Sequence, residues 1–99
     1  MDNFVTDYVY FDEKTQEFKN VNIKMNIVKD EFVINISSED ILEDSAVLEI
    51  LKQLNNNFTK KLKISLIEEC EIFVTDKSGN RKIELEYGEF FIKRTIKQS

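Results

Sequence analysis

The sequence lacks histidine, proline and tryptophan, and its 99 residues include one cysteine and two glycines. Histidine is the commonest general base and a frequent metal ligand. Its absence excludes Ser-His-Asp triads, Cys-His dyads and Cys/His zinc sites built from this chain alone. The two glycines, Gly79 and Gly88, are too few and too far apart to form a loop that cradles phosphate. We therefore predict no catalytic residue, no metal and no cofactor.

The single cysteine, Cys70, cannot form a disulfide within the chain. It is part of an alternating apolar pattern, between Leu66 and Ile72. Its neighbours in the sequence are acidic, and negative charges disfavour a thiolate. We predict a core cysteine rather than a nucleophile.

The first residues show neither the basic nor the apolar region of a signal peptide, and no apolar run reaches membrane-spanning length. These features predict a cytoplasmic protein.

Acidic residues outnumber basic ones by 19 to 14, so the formal net charge is −5. Direct binding to nucleic acid or to an anionic membrane needs a basic surface, and this balance argues against both. Hydrophobic residues make up 41% of the chain, and no linker or repeat divides it, which predicts a single domain over residues 1–99. The acidic charge favours a protein partner with a basic surface.

Three strands and one helix are predicted in the first part of the chain. Residues 4–11 are rich in aromatic and β-branched side chains, and residues 18–28 alternate apolar with polar side chains. Residues 32–36 continue that alternation as a third strand. An apolar stripe at helical spacing predicts a main helix that starts near Ser45 and ends at residues 55–57. The stripe consists of Val47, Leu51, Leu54 and Phe58.

The C-terminal third predicts a long hairpin that pairs residues 62–75 with residues 81–96. In this register Val74 lies opposite Ile83, and the change of apolar parity at Gly88 indicates a β-bulge that bends the hairpin. The complete pattern predicts an α+β fold. Its curved, mostly antiparallel sheet has about five strands, in chain order β-β-β-α-β-β, with one helix packed on one face.

Two acidic groups are candidates for chemistry. The acids between residues 40 and 44 share a helical face and are candidates for binding a hard cation, although acids in a first helical turn ordinarily complement the helix dipole. Glu68, Glu69 and Glu71 are candidates for paired-carboxylate catalysis. Neighbouring strand residues point to opposite faces, however, which disfavours that chemistry.

The first strand carries large apolar side chains on both faces. Only one face can pack into a single two-layer core, so we expect the other face to form a protein interface. The odd face carries Val5, Val9 and Phe11. The candidate partner-binding residues are taken from the even face and the acidic run: Phe4, Tyr8, Tyr10, Glu68, Glu69 and Glu71.

These features predict a non-enzymatic binding protein that inhibits a protein partner by stoichiometric occlusion. A phage inhibitor of a host defence system, of the anti-CRISPR type, would act in this way, as would a toxin immunity protein. Mimicry of nucleic acid by the acidic residues is one route to such occlusion. The alternatives are a self-assembling structural subunit of a phage or bacterial complex, with a homodimer formed through the first strand, and a small carboxylate-based enzyme.

Overall fold

A computed structural model of the chain describes residues 3–28, 31–54, 70–86 and 91–98. Within these residues the chain forms six strands and one α-helix. The helix, α1, spans Asp44–Leu54 and lies in sequence between the third and fourth strands. The strands are β1 (Asn3–Asp12), β2 (Glu17–Val28), β3 (Glu31–Ser37), β4 (Cys70–Asp76), β5 (Gly79–Leu85) and β6 (Ile92–Gln98).

The six described strands form one sheet whose spatial order, β1-β2-β3-β4-β5-β6, follows the sequence. Every neighbouring pair is antiparallel except β3 and β4, which run parallel because α1 lies between them in the chain. The α+β class, the mostly antiparallel sheet and the single helix on one face are confirmed. The sheet has six described strands where the sequence predicts about five.

The sixth strand arises because the predicted second arm of the long hairpin is two strands. β5 ends at Leu85, and β6 pairs back on it, with Leu85 opposite Ile92. The chain therefore reverses between these residues, and this reversal accounts for the change of apolar parity. The prediction of one bent strand over residues 81–96 is wrong. The bulge predicted at Gly88 and the arm predicted over residues 62–69 lie outside the described residues.

The predicted register of the β4–β5 hairpin is also wrong, by two residues. Ile83 pairs with Ile72 rather than with Val74, because the turn contains only two residues between the paired Asp76 and Gly79. Gly79 has a φ of 122°, a conformation that side-chain-bearing residues rarely adopt, and this permits the tight turn. The error is an even number of residues, so the predicted face of each side chain is unchanged.

The core lies between α1 and one face of the sheet, here called the helix-proximal face. On β2 the alternation is observed at three positions, where the odd residues Val21, Ile23 and Met25 are buried on this face. Even residues of β1 share the face because Tyr8 pairs with Val21. The other buried members are Tyr10, Ile34, Ile36, Leu42, Val47, Ile50, Leu51, Leu54, Ile72, Val74 and Ile83.

The helix begins at Asp44, which confirms the main start predicted near Ser45. Its predicted stripe is buried at Val47, Leu51 and Leu54, whereas the fourth predicted member, Phe58, and the predicted helix end lie outside the described residues. Before the helix, Leu42 inserts its side chain into the core. No helix in the described ranges is long and apolar enough to span a membrane.

Candidate functional site

The predicted tyrosines lie on the helix-proximal face of β1. Tyr10 is only 6% exposed and belongs to the core, and Tyr8 is half-buried against it. Phe4 occupies an even position of the same strand, and its side chain lies outside what the structure describes. Tyr10 therefore offers little surface to a partner, whereas Tyr8 retains part of its side chain at the surface.

The predicted acidic run is not brought next to the tyrosines. Glu68 and Glu69 lie outside the described residues. Glu71 lies in β4, where it is half-buried and precedes the buried Ile72, so it points away from α1. Glu71 and Tyr8 therefore occupy opposite faces of the sheet, with two strands between their own.

Large apolar side chains are exposed instead on the other face of β1. Val5 and Val9 are each 55% exposed, Phe11 is 45% exposed, and Phe18 of β2 is 75% exposed. Phe11 and Phe18 are directly opposite across the two strands, with ring centroids 5.1 Å apart in an edge-to-face arrangement. We call Val5, Val9, Phe11 and Phe18 the β1–β2 patch. It lies on the helix-distal face of the sheet.

Polar side chains border the β1–β2 patch. Asn22 donates a hydrogen bond of 3.1 Å from Nδ2 to Oδ1 of Asp7, its cross-strand partner. Beside this pair, a shallow depression of about 670 Å³ is lined by Asp7, Asn20, Asn22, Ser37 and Thr75, among others. An exposed apolar centre with a hydrogen-bonding border is the usual anatomy of a protein interface.

A groove of about 750 Å³ separates β1 from α1 on the helix-proximal side. Its strand wall includes Tyr8, its helix wall includes Ala46, Glu49 and Gln53, and Ile41 also lines it. Four carboxylates and two ammonium groups line it, so the groove has an acidic balance. These charged residues are Asp12, Glu13, Lys14, Lys19, Glu43 and Glu49.

Both groove lysines are engaged with carboxylates. Lys19 Nζ lies 3.0 Å from Oδ2 of Asp12, and Lys14 donates a hydrogen bond to Glu43. The bond from Lys19 lowers the pKa of Asp12 and raises that of Lys19. Glu49 lies on the helix wall and makes no ion pair with another described residue.

Burial and nearby charges set the protonation of the groove tyrosines. Burial raises the pKa of Tyr8, and the negative charge of Glu49 raises it further. Burial also raises the pKa of Tyr10. Both phenols are therefore protonated at neutral pH, where they act as hydrogen-bonding and packing groups rather than as bases.

Among the described residues, Asp76 has the carboxyl group with the largest shift in pKa, and with Leu42, Ser78 and Arg81 it forms a hydrogen-bonded cluster, here called the clasp. The Asp76 side chain is fully buried and accepts hydrogen bonds from the Leu42 amide (2.8 Å) and from Nη1 of Arg81 (2.9 Å). Ser78 donates two more, from its amide and its hydroxyl. Burial alone would raise the pKa of Asp76, but these donors outweigh it and lower the pKa to about 2. Asp76 joins the β4–β5 turn to the segment before α1.

The acids proposed as a cation site do not share a helical face. The helix begins at Asp44, so Asp40 and Glu43 precede it, and Glu43 is bound to Lys14. Within residues 3–28, 31–54, 70–86 and 91–98, no group of three acidic or cysteine side chains is arranged to hold a metal ion.

The sequence-based prediction places the interface on the even face of β1, whereas the large exposed apolar side chains of this strand lie on its odd face. The feature of the sequence that decides which face is exposed is the length of the β1–β2 connection. Asp12 pairs with Glu17, so even positions of β1 share a face with the apolar odd positions of β2.

Comparisons of the chain with protein-family profiles, with curated proteins and with solved structures gave no significant match.

Proposed function

We propose that the protein is a non-enzymatic binding protein that attaches to a protein partner through the β1–β2 patch and occludes the partner's functional surface. The observation that carries the proposal is the exposure of four large apolar side chains on one side of one hairpin. Their burial by a partner is favourable, and exposed apolar clusters with a polar border commonly mark interfaces.

The charge of the chain supports a basic partner. The net charge of −5 favours association with a positively charged protein surface and speeds the encounter. A nuclease or another nucleic-acid-binding protein has such a surface. An anti-defence inhibitor of the anti-CRISPR type or a toxin immunity protein would work in this manner. Self-assembly through the same patch is the alternative function.

The test compares the partners captured by the wild type and by matched surface variants. Phe11→Ser combined with Phe18→Ser removes the aromatic half of the patch. Ile96→Ser is the control, because Ile96 is also exposed on the helix-distal face but lies on β6, at the opposite edge of the described sheet. Circular dichroism and thermal unfolding establish that each variant is folded.

We expect one protein to be captured by the wild type and by Ile96→Ser and to be lost with the double variant. The purified pair is then expected to form a one-to-one complex by sedimentation, with the partner's activity blocked at that stoichiometry. Capture that survives the loss of both phenylalanines would contradict the assignment of the surface. A wild type that forms only salt-resistant oligomers of itself would favour self-assembly.

A further inference from the structure

The two edges of the described sheet differ in their protection against pairing with another chain. β6 carries three cations, Lys93, Arg94 and Lys97, and its pairing with β5 is irregular at Glu84 and Leu85. Edge strands with charges and irregularities resist the addition of further strands. β6 therefore has the usual features of a protected edge.

β1 carries no cation and has no irregularity in its pairing. It is ten residues long, contains no lysine and no proline, and pairs with β2 in continuous register from Asn3 to Asp12. Its one internal charge, Asp7, is hydrogen-bonded to Asn22. Within the described residues β1 pairs only with β2, so its other side is an edge of the described sheet, the position at which another strand can add.

A strand added to β1 would have side chains of this protein beside it on both of its faces. On the helix-distal face, its side chains would lie beside Val5, Val9 and Phe11, which are all exposed. On the helix-proximal face, its side chains would enter the groove between Tyr8 and α1. Because strand side chains alternate between faces, one extended segment would fill both surfaces at once.

The charges of the groove identify the side chains that suit it. Four carboxylates and two lysines line the groove, and both lysines are paired with carboxylates, so the net charge of the groove is negative. Glu49 lies on the helix wall, opposite β1. A lysine or arginine in an added strand would reach Glu49. A second copy of β1 would supply no cation, because its charged residues are Asp7 and Asp12. Charge complementarity therefore favours a segment of a different protein.

We propose that the partner is recognised through an extended segment that adds as a strand to the outer edge of β1. Alternate residues of this segment are aliphatic and lie beside Val5 and Val9, and the residues between them are lysine or arginine and face Glu49. This inference rests on the proposed binding function and specifies the partner element that the surface accepts. The backbone supplies affinity along β1, and the alternation of aliphatic and basic residues supplies specificity.

The probe is a fluorescent, terminally blocked heptapeptide in which valine alternates with lysine, and its binding is measured by fluorescence anisotropy. Two control peptides replace each lysine by glutamate or replace the central lysine by proline, which cannot continue the strand pairing. The protein variants are Val9→Asp and Glu49→Gln. Glu39→Gln is the matched control, because Glu39 is an exposed glutamate that does not line the groove.

We expect the lysine peptide to bind at least about tenfold more tightly than either control peptide. Val9→Asp should weaken its binding about tenfold, and Glu49→Gln by a few-fold, which is the range of an exposed ion pair. Glu39→Gln should leave binding unchanged. Amide resonances of residues 3–12 should shift on titration, with slower hydrogen exchange along β1.

Equal binding of the lysine and glutamate peptides would overturn the inference, as would no detectable binding at about 1 mM peptide. A wild-type dimer that excludes the peptide would identify a second copy as the occupant and would also overturn it. The proposed function is judged separately. A captured partner that requires Phe11 and Phe18, but is neither displaced by the peptide nor weakened by Glu49→Gln, would leave that function standing and refute strand addition.

Discussion

Replacing Asp76 with asparagine is expected to destabilise the protein by roughly 3 kcal/mol at neutral pH. The substitution removes the negative charge next to the largely buried Arg81 and leaves donors from Leu42, Ser78 and Arg81 competing for one amide oxygen. For a domain of this size that loss should lower the melting temperature by roughly 12–24 °C. Urea and thermal unfolding, followed by circular dichroism, measure both quantities.

The pH dependence provides a separate test of the same contacts. The pKa of Asp76 is lowered from 3.8 to about 2 in the folded chain, so the native state favours the carboxylate. By linkage this difference corresponds to about 2 kcal/mol of stability. The contribution is complete above the unfolded pKa and is lost as the pH falls through the folded pKa, between about pH 5 and pH 1. The stability gap between wild type and Asp76→Asn should narrow over that range.

Glu84→Gln is the matched control. Glu84 also accepts a hydrogen bond from an arginine, Arg94, and that bond lowers its pKa, but the pair lies at the solvent-exposed edge of the sheet. Its removal should change stability much less than the removal of the buried Asp76 carboxylate. Equal effects of the two substitutions would contradict the stabilising role of the buried carboxylate. Curves of stability against pH that run parallel for wild type and Asp76→Asn from pH 5 downwards would contradict it as well.

Substitutions in the core, at the β4–β5 turn and in the groove test three other features of the structure. Ile34→Ala deletes a fully buried side chain in a central strand and should cost roughly 3 kcal/mol in urea unfolding; a loss below that of the exposed Ile96→Ala would contradict its placement. Gly79→Ala should cost about 1–2 kcal/mol through backbone strain alone, because no atom lies within 4 Å of the added methyl group. Glu49→Gln should lower the pKa of Tyr8, seen by ultraviolet titration of phenolate in a chain whose other tyrosines are phenylalanine; an unchanged pKa would place Glu49 away from Tyr8.

Local patterns were sufficient to predict the first four elements. The period-two alternation over β2 requires one buried face, and the observed burial of Val21, Ile23 and Met25 follows it. The helical spacing of Val47, Leu51 and Leu54 similarly identified the buried side of α1. In β2 and α1 the neighbouring residues of the chain themselves determine which side chains can be buried together.

The C-terminal strands were harder to predict because one pattern has two explanations. A change of apolar parity arises from a bulge within one strand or from a reversal between two strands. Both a bulge and a reversal would allow Leu85 and Ile92 to face the core, so the apolar pattern does not distinguish the two structures. The reversal is stabilised by the pairing of β5 with β6, including the bond from the Glu86 amide to the Phe91 carbonyl, and periodicity alone does not reveal such contacts.

The face of β1 depended on a connection whose length the sequence left undefined. Both faces of β1 are apolar, so its own pattern does not distinguish them. The connection contains four residues, with Gln16 at a φ of 58° and its amide bonded to the Asp12 carbonyl. One residue more or fewer would place Phe11 on the face of Val21 and expose Tyr8 and Tyr10 instead.

The buried clasp and the acidic groove are linked through the segment that precedes α1. Asp76 receives the Leu42 amide, and Arg81 donates to the Leu42 carbonyl, so both backbone groups of this residue are held by the β4–β5 turn. The adjoining residues, Ile41 and Glu43, line the groove. A loop without such contacts would lose conformational entropy each time a partner bound, and this loss would weaken binding. The clasp therefore pre-organises one wall of the groove, while pairing with β2 holds β1 extended on the other side.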